Sequence, residues 1–243
     1  MSIGSALPHV AERIAQGQPL TIVAIGSSST WGVGASTSAR NYPSLLEAEL
    51  RERFPNLAIR VLNRGKNGED AAEESARLDA DAIAERPDLV IWQVGTNAVL
   101  RRDDLTRDGE LIEQGVARLR QGGSDVVLMD LQYAPRVLAR PAHAEMEQVI
   151  ASIAKRDKVG LFRRFEIMQH WQNAASHGDS PAMIGDDGLH MTDRGYGCLA
   201  ADFAEALAWN WWTQERVTHN PADARVAGLR GTAPPAAPFD GRP

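Results

Sequence analysis

The sequence predicts one α/β domain in which a parallel sheet of five strands carries helices on both faces. Strand-like and helix-like stretches alternate five times along the chain, which is typical of a parallel sheet with crossover helices. The first strand-like stretch is a nearly unbroken apolar run, as expected of a strand that is buried on both faces. The chain has 243 residues, of which 43% are hydrophobic, so it can bury a sizeable core without disulfides or a structural metal.

The first strand is predicted over residues 20–25, where the sequence LTIVAI is rich in β-branched side chains. A loop rich in glycine and serine follows over residues 26–38. The first helix is predicted over residues 41–54, because apolar side chains recur there at helical spacing. Pro43 is compatible with this helix, since it lies in the first turn.

The second strand is predicted over residues 57–62 and the second helix over residues 69–86. This helix is expected to stop before Pro87, because a residue that precedes proline is disfavoured in the helical conformation. The third strand covers residues 88–94, where the sequence DLVIWQV is again largely apolar, and the third helix covers residues 111–121.

A pair of glycines at residues 122–123 separates the third helix from a fourth strand over residues 125–131. A fourth helix over residues 141–155 and a short fifth strand over residues 159–162 follow. The last helix is predicted over residues 192–213, because its apolar side chains recur at four-residue spacing.

These elements define one domain over residues 18–215. Residues 1–17 are predicted to be an N-terminal extension. Residues 216–243 are predicted to be a C-terminal tail rich in proline and alanine. Five prolines follow Asn220, and such a composition favours a poorly ordered chain.

Charge and cysteine content exclude several classes of partner and site. The net charge of −6 argues against nucleic acid and anionic membrane surfaces, which require a basic field. Cys198 is the only cysteine, so the chain has neither an internal disulfide nor a cysteine-rich zinc site. Since no apolar run is long enough to span a bilayer and the first residues do not read as a signal peptide, we expect a cytoplasmic protein, or an exported one whose signal has been removed.

The loops that follow the strands are where a parallel sheet places its ligand site. The first loop, GSSSTWGVG, lacks the Gly-Lys-Ser/Thr of a phosphate-binding loop, and Thr37 replaces the third glycine of a dinucleotide fingerprint. A serine in this loop is a candidate nucleophile at the head of a helix. Gly68 and Asn97, after the second and third strands, can offer a backbone N–H and an amide to a developing oxyanion. Each loop taken alone can also be explained by residue types that are common in turns.

Asp187 and His190 stand just before the last helix, in the sequence DDGLHMTD. A carboxylate three residues before a histidine can reach its Nδ1 across a tight turn, which leaves Nε2 for a serine. A metal site would need several convergent His, Asp or Glu side chains, so neither a metal nor a cofactor is predicted. Together the four loops supply a nucleophile, a base, an orienting acid and oxyanion donors, which is the inventory of acyl-transfer chemistry.

In the blocks IGSSSTWGVG, NRGKNGED, GTN and DGLH, the chain resembles the SGNH hydrolases, also called GDSL-type esterases and lipases. The resemblance covers most of the chain and implies a flavodoxin-like, three-layer α/β/α sandwich. It also implies a role for each of five residues: Ser28 as the nucleophile, Gly68 as the backbone oxyanion donor, Asn97 as the side-chain oxyanion donor, and Asp187 and His190 as the rest of the triad.

Two residues depart from the family pattern. Ser27 stands before the nucleophile and Ala98 stands after the block-three asparagine, where the family usually has aspartate at both positions. Neither position transfers a proton in the family. We therefore expect altered local hydrogen bonding and retained catalysis.

The resemblance implies a serine ester hydrolase that works through an acyl-enzyme, with acyl transfer to an alcohol or sugar acceptor as the alternative. The residues also leave open a catalytically silent domain that binds carbohydrate or acyl groups. The lack of a long apolar lid segment favours short acyl esters, including acetyl groups on a carbohydrate. The predicted pocket consists of Trp31 and the loops over residues 98–108 and 131–140, with Gln132 and Tyr133 as further substrate contacts.

Overall fold

The computed structural model describes residues 2–175 and 182–218. These residues contain the strands β1 (Leu20–Gly26), β2 (Ile59–Gly65), β3 (Leu89–Gln93), β4 (Asp125–Met129) and β5 (Gly160–Phe162). The strands form one sheet in the order β2-β1-β3-β4-β5, and all neighbouring pairs are parallel. The predicted five-stranded parallel sheet is therefore confirmed.

Helices connect and cover the strands. Within the described part of the chain they are α1 (Pro8–Ala15), α2 (Ser28–Trp31), α3 (Tyr42–Arg53), α4 (Ala71–Ala76), α5 (Leu78–Asp81), α6 (Thr96–Arg101), α7 (Leu105–Gln121), α8 (Pro135–Leu138), α9 (His143–Asp157), α10 (Arg164–Ala175) and α11 (Asp193–Thr218). Short 3₁₀ turns lie at Ser38–Arg40 and Ile83–Glu85. Among the helices described, none has the length and apolar character needed to cross a membrane.

The apolar core consists of two clusters, one on each face of the sheet. Alternate side chains of β1 enter opposite clusters: Ile22 lies in one, and Val23 lies in the other. The first cluster is covered by α1, α3 and α11, and Phe162 of β5 stacks there on Phe203 at a centroid distance of 4.1 Å. The second cluster is covered by α4, α7 and α9. This arrangement is the predicted three-layer sandwich.

The strand order reverses direction at β1, which lies between β2 and β3. The chain runs from β1 to β2 on one side and then returns to β3 on the other side. Gly26 pairs with Gly65, and Ile25 pairs with Trp92, so the three strands end at nearly the same level. The carboxyl ends of parallel strands beside such a reversal form a crevice, where ligands bind in folds of this type.

The helix predicted over residues 69–86 is interrupted in the structure. It is divided into α4, α5 and a 3₁₀ turn, with the first break at Arg77, which is buried. The guanidinium of this residue donates to the backbone carbonyls of Gly26 at 3.1 Å and Arg64 at 2.7 Å, and to the Glu69 carboxylate at 2.6 Å. A helical pattern of apolar residues does not reveal such a contact with the strand ends.

The predicted extension, residues 1–17, packs on the sandwich. It contains α1, and Ile3, Leu7 and Val10 are almost completely buried in the first cluster. The Val10 N–H also donates to the Asp125 carboxylate of β4 at 3.0 Å. The segment predicted as an extension therefore packs closely on the sandwich.

Several other helices were not predicted. The helices α2, α6 and α8 have four to six residues, which is too short to show an apolar period. The helix α10 begins with a buried arginine, which interrupts the amphipathic pattern at its start. Of the predicted tail, residues 219–243 lie outside the described part of the chain.

Candidate active site

Ser28 is the first residue of α2, two positions after β1 ends at Gly26. The turn between them is tight, because a Cβ on Gly26 would lie 2.5 Å from Thr30 Oγ1. The helix ends after one turn at Gly32, whose φ of +105° favours glycine. The local sequence thus holds the Ser28 hydroxyl at the head of a short helix, at the carboxyl edge of the sheet.

Ser28, His190 and Asp187 form a hydrogen-bonded line. The distance between Ser28 Oγ and His190 Nε2 is 2.8 Å, and the distance between His190 Nδ1 and Asp187 Oδ2 is 2.5 Å. The other carboxylate oxygen of Asp187 accepts the backbone N–H groups of Leu189 at 2.9 Å and His190 at 3.0 Å. The carboxylate is therefore fixed on both of its oxygens, and it orients the imidazole toward the serine.

The charge of Asp187 is stabilised by these contacts. Partial burial raises the pKa of its carboxyl, but the hydrogen bonds from the His190 side chain and from two backbone N–H groups outweigh burial and lower the pKa to about 2. The carboxylate is therefore ionised at neutral pH. An ionised partner on Nδ1 places the proton there, so Nε2 is the acceptor that faces the Ser28 hydroxyl.

The segment that carries His190 docks directly on the Ser28 loop. Gly34, with a φ of +90°, lies so close that a Cβ there would be 2.4 Å from the Met191 carbonyl oxygen. The backbone N–H of Ser36 donates to Asp193 at 2.7 Å, and the Ser36 hydroxyl donates to the same carboxylate at 2.5 Å. These contacts join two parts of the chain that are about 160 residues apart in sequence.

Gly68 and Asn97 lie on the two neighbouring loops. Asn97 belongs to α6, and its Nδ2 donates to the Glu69 carbonyl at 2.8 Å. Gly68 is exposed, has a φ of +80°, and its N–H makes no hydrogen bond to any residue that the structure describes. The Gly68 loop also contacts the turn before Ser28, because the Lys66 N–H donates to the Gly26 carbonyl at 2.9 Å. The three loops thus meet at one edge of the sheet.

Gln93, the last residue of β3, anchors the two residues that flank Ser28. Its amide oxygen accepts the Ser27 backbone N–H, the Ser27 hydroxyl and the Ser29 hydroxyl, each at 3.0 Å. The residues on both sides of Ser28 are therefore anchored to one buried oxygen. Ser27 is 3% exposed and uses its hydroxyl in this contact, which explains how the loop accommodates serine at the position of the family aspartate.

Arg164 extends this buried network. It is fully buried at the start of α10, and its guanidinium donates to Ser29 Oγ at 2.8 Å, to Gln132 Oε1 at 2.9 Å and to the Asp130 carbonyl at 3.0 Å. Burial lowers the pKa of Arg164 to about 10, and the nearby Asp130 carboxyl opposes that shift. Gln93 and Arg164 were not predicted, since nothing in the local sequence links Arg164 to a serine 135 positions away.

The three predicted substrate contacts lie in different environments. Trp31 is 58% exposed and stands three positions after the nucleophile. Gln132 is only 2% exposed, and its amide oxygen accepts the Thr96 hydroxyl at 2.9 Å in addition to Arg164. The partly buried Tyr133 packs edge-on against Phe165 at a centroid distance of 5.1 Å. Trp31 is therefore exposed to solvent and Tyr133 is partly exposed, whereas Gln132 is buried beneath the loop.

A cavity of about 520 Å³ lies between the two loops that were predicted to form the pocket. It is lined by residues 99, 102–106, 139–142 and 145, and hence by the end of α6 on one side and the start of α9 on the other. In residues 2–175 and 182–218, no three side chains of His, Cys, Asp or Glu are grouped so that they could hold a metal ion.

Comparison with known families and proteins gives consistent matches. The profile of the non-GDSL lipase-like family matches residues 1–210. An acetylxylan esterase from Geobacillus stearothermophilus is 27% identical over 183 residues, which cover 70% of this chain and 82% of that protein. The esterase TesA from Pseudomonas aeruginosa is 26% identical over 170 residues, which cover 70% of this chain and 79% of that protein.

Solved structures share the fold at lower identity. A two-domain esterase active on acetylated mannans superposes with a TM-score of 0.70 at 20% identity, over 86% of this chain. The chain spans only about half of that protein, 55% of its length. The acetylxylan esterase Axe2 from Geobacillus stearothermophilus superposes with a TM-score of 0.66 at 21% identity, over 87% of this chain and 98% of its own.

Proposed function

The chain belongs to the non-GDSL lipase-like family and is a carboxylic ester hydrolase, and we propose that it cleaves its ester through an acyl-enzyme on Ser28. Family membership confirms the resemblance to SGNH hydrolases that the four sequence blocks indicate. The observation that carries the proposal is the 2.8 Å contact between Ser28 Oγ and His190 Nε2, with Asp187 on the other imidazole nitrogen. A serine hydroxyl needs such a base before it can attack an ester.

In the first step, Ser28 Oγ attacks the ester carbonyl carbon while His190 Nε2 accepts the hydroxyl proton. The Asp187 carboxylate stabilises the imidazolium that forms. The negative charge that develops on the carbonyl oxygen is held by the backbone N–H groups of Ser28 and Gly68 and by Asn97 Nδ2. When the tetrahedral intermediate collapses, the C–O bond to the alcohol breaks and the alcohol leaves with the proton from His190.

In the second step, water attacks the acyl-enzyme. His190 accepts a proton from the water, the same donors hold the second oxyanion, and the bond between the acyl carbon and Ser28 Oγ breaks as the serine regains its proton. The product is the free carboxylic acid. Because the pKa of Asp187 lies well below neutral pH, the carboxylate can serve both steps at neutral pH without changing its own protonation state.

The substrate class that we propose is a short acyl ester, specifically an acetyl group on a carbohydrate. The named activities of two relatives support it, since one is an acetylxylan esterase and one acts on acetylated mannans. Trp31 supports it independently, because an indole that is 58% exposed beside the nucleophile offers a flat, apolar surface to a sugar ring. Acyl transfer to an alcohol or sugar acceptor would use the same acyl-enzyme.

The test is hydrolysis of p-nitrophenyl acetate by the wild type, Ser28→Ala and His190→Ala. Each substitution should lower kcat by about 10³- to 10⁶-fold with folding retained. Ser38→Ala, which removes an exposed hydroxyl from the same loop, is the matched control and should keep wild-type activity. Equal rates for the wild type and Ser28→Ala would rule out Ser28 as the nucleophile.

Two further assays separate the alternatives. Labelling of Ser28 by a fluorophosphonate is expected, and a lack of labelling would favour a silent binding domain. Acetylated xylo- and manno-oligosaccharides, assayed with and without an added alcohol or sugar acceptor, should release acetate in both cases. Quantitative appearance of acetylated acceptor in place of acetate would instead identify a transferase.

A further inference from the structure

The helix that carries Asn97 also carries an arginine one turn later. Arg101 is the last residue of α6, and four positions along a helix place two side chains on the same face. Its Nη2 donates to the Gly68 carbonyl oxygen, while Nη1 contacts the Asp70 carboxylate. Both nitrogens also reach Glu73 Oε2, at 3.2 and 3.3 Å. One guanidinium therefore spans the loop that contains Gly68 and the first turn of α4.

The first turn of α4 is a rigid anchor for this guanidinium. Asp70 Oδ1 accepts the backbone N–H groups of Ala72 at 2.9 Å and Glu73 at 3.3 Å, and Glu73 Oε2 accepts the Asp70 N–H at 3.0 Å. This reciprocal capping box fixes both carboxylates. Arg101 binds the oxygens that face α6, so its own position is set by two carboxylates that are already held in place.

Gly68, in contrast, has little else to restrain it. A Cβ built on Gly68 would meet no atom within 4 Å, and its N–H has no hydrogen-bond partner among the described residues. Glycine is also the residue with the greatest backbone freedom. The helix α6 makes hydrogen bonds to two consecutive carbonyl groups of this loop. Arg101 donates to the Gly68 carbonyl, and Asn97 donates to the Glu69 carbonyl.

We propose that Arg101 is a positioning residue for catalysis, which holds the Gly68–Glu69 peptide group and thereby restrains the backbone of Gly68, so that the adjacent Gly68 N–H stays directed at the developing oxyanion. This inference rests on the proposed function, because it assigns a purpose to the orientation of that N–H. An arginine suits the role, since its planar fork can donate to a carbonyl and a carboxylate at once, whereas a lysine presents a single point of charge.

The test compares Arg101→Ala and Arg101→Lys with the wild type on p-nitrophenyl acetate. Loss of the restraint should lower kcat of Arg101→Ala by about 10- to 100-fold, less than the loss of a whole oxyanion donor, with KM changed by less than about threefold. Arg101→Lys should lie between the two. Millimolar guanidinium chloride should restore part of the activity of Arg101→Ala, because the side chain that it replaces is 42% exposed.

A matched control separates positioning from a general loss of surface charge. Arg156→Ala removes an exposed arginine of α9, which pairs with Glu113 on α7 at 2.7 Å, and it should leave kcat unchanged. The double variant Asn97→Ala/Arg101→Ala should lose less activity than the product of the two single losses, since both side chains act on the same loop.

The outcomes distinguish this inference from the proposed function. If a fluorophosphonate labels the wild type but not Ser28→Ala, and Arg101→Ala nevertheless keeps wild-type kcat, the positioning role is wrong and the acyl-enzyme proposal stands. A lower melting temperature of Arg101→Ala with unchanged kcat would likewise overturn the positioning role. If the wild type itself is neither labelled nor active, the proposed function fails first.

Discussion

In the proposed mechanism, the Asn97 side chain serves structure and chemistry together. Its Nδ2 donates one proton to the Glu69 carbonyl at 2.8 Å, which leaves the second proton of the same amide for an oxyanion. The donor is therefore oriented before any substrate arrives. Such preorganised donors account for much of the rate enhancement in acyl transfer, because they need no rearrangement when the charge develops.

Asn97→Ala should lower kcat by about 10²- to 10³-fold, equivalent to about 2.7–4 kcal/mol, because it removes one oxyanion donor. Steady-state kinetics on p-nitrophenyl acetate measures the effect. Asn173→Ala, which removes an exposed amide from α10, is the control. A fall in kcat that is no larger for Asn97→Ala than for this control would show that the amide takes no part in catalysis.

The sequence predicts the groups that we propose to react, and it misses the buried groups that hold them in place. Ser28, Asp187 and His190 are recognisable because each stands in a short motif at a loop that follows a strand or precedes a helix. Gln93 and Arg164 are not recognisable, since their partners lie 64 and 135 positions away along the chain. Contacts between distant segments have no local signature, and only the folded chain reveals them.

At the scale of elements, strands were predicted more accurately than short helices. The apolar runs locate all five strands of the described sheet within about two residues at most boundaries, because burial on both faces demands an almost continuous apolar sequence. The interrupted segment α4–α5 was predicted as one helix, since a buried arginine that bonds to strand ends looks like an ordinary helical residue in sequence.

The approach of the Ser28 loop to the His190 segment depends on Gly34. An alanine at this position combines an unfavourable φ of +90° with a Cβ only 2.4 Å from the Met191 carbonyl oxygen, so the two segments must move apart. Gly34→Ala should therefore lower kcat by about 10²-fold, the effect of a displacement of about 1 Å between reacting groups.

Gly197→Ala is the control for this variant. Gly197 lies in α11, and a Cβ there would meet no atom within 4 Å outside the backbone of its own helix. It should keep both kcat and the rate of labelling by a fluorophosphonate. If Gly34→Ala were as active as Gly197→Ala, close contact between the two segments would not be needed for the alignment of Ser28 with His190.

At the scale of the whole molecule, several carboxyl groups are buried. Asp108 on α7 is 5% exposed, and its Oδ2 has no hydrogen-bond partner within the described part of the chain. Burial raises the pKa of Asp108 to about 6; the Asp70 carboxylate adds to the shift and the Ala71 N–H opposes it. The folded state therefore binds a proton at Asp108 more tightly than the unfolded state does.

Because the folded-state pKa lies above the ordinary value, the stabilisation from protonated Asp108 is complete below pH about 4 and is lost as the pH rises through about 6. Asp108→Asn removes this titration. The difference in the free energy of unfolding, variant minus wild type, should increase by about 1–3 kcal/mol between pH 4 and pH 8. Urea unfolding at the two pH values measures it.

Asp79→Asn, which changes an exposed carboxylate, is the matched control and should show no such increase. If the unfolding free energies of Asp108→Asn and the wild type remained parallel from pH 4 to pH 8, Asp108 would have the same proton affinity in both states. In that case burial of Asp108 would not disfavour the ionised form of its carboxyl group.

The fold class was predictable from the alternation of strands and helices and from the apolar runs, whereas the packing of residues 1–17 on the domain was not. The segment over residues 1–17 is predicted to be an extension, yet Ile3, Leu7 and Val10 belong to the first core cluster. The apolar side chains of a short segment do not by themselves identify the surface on which they pack.

The distance along the chain between Ser28 and His190 also bears on how this protein is made. During synthesis the nucleophile leaves the ribosome about 160 residues before its base, and α11 follows only after that base. A nascent or truncated chain that ends before residue 190 therefore lacks the base that we propose for Ser28. On the proposed mechanism, esterase activity is acquired only when nearly the whole domain has been synthesised.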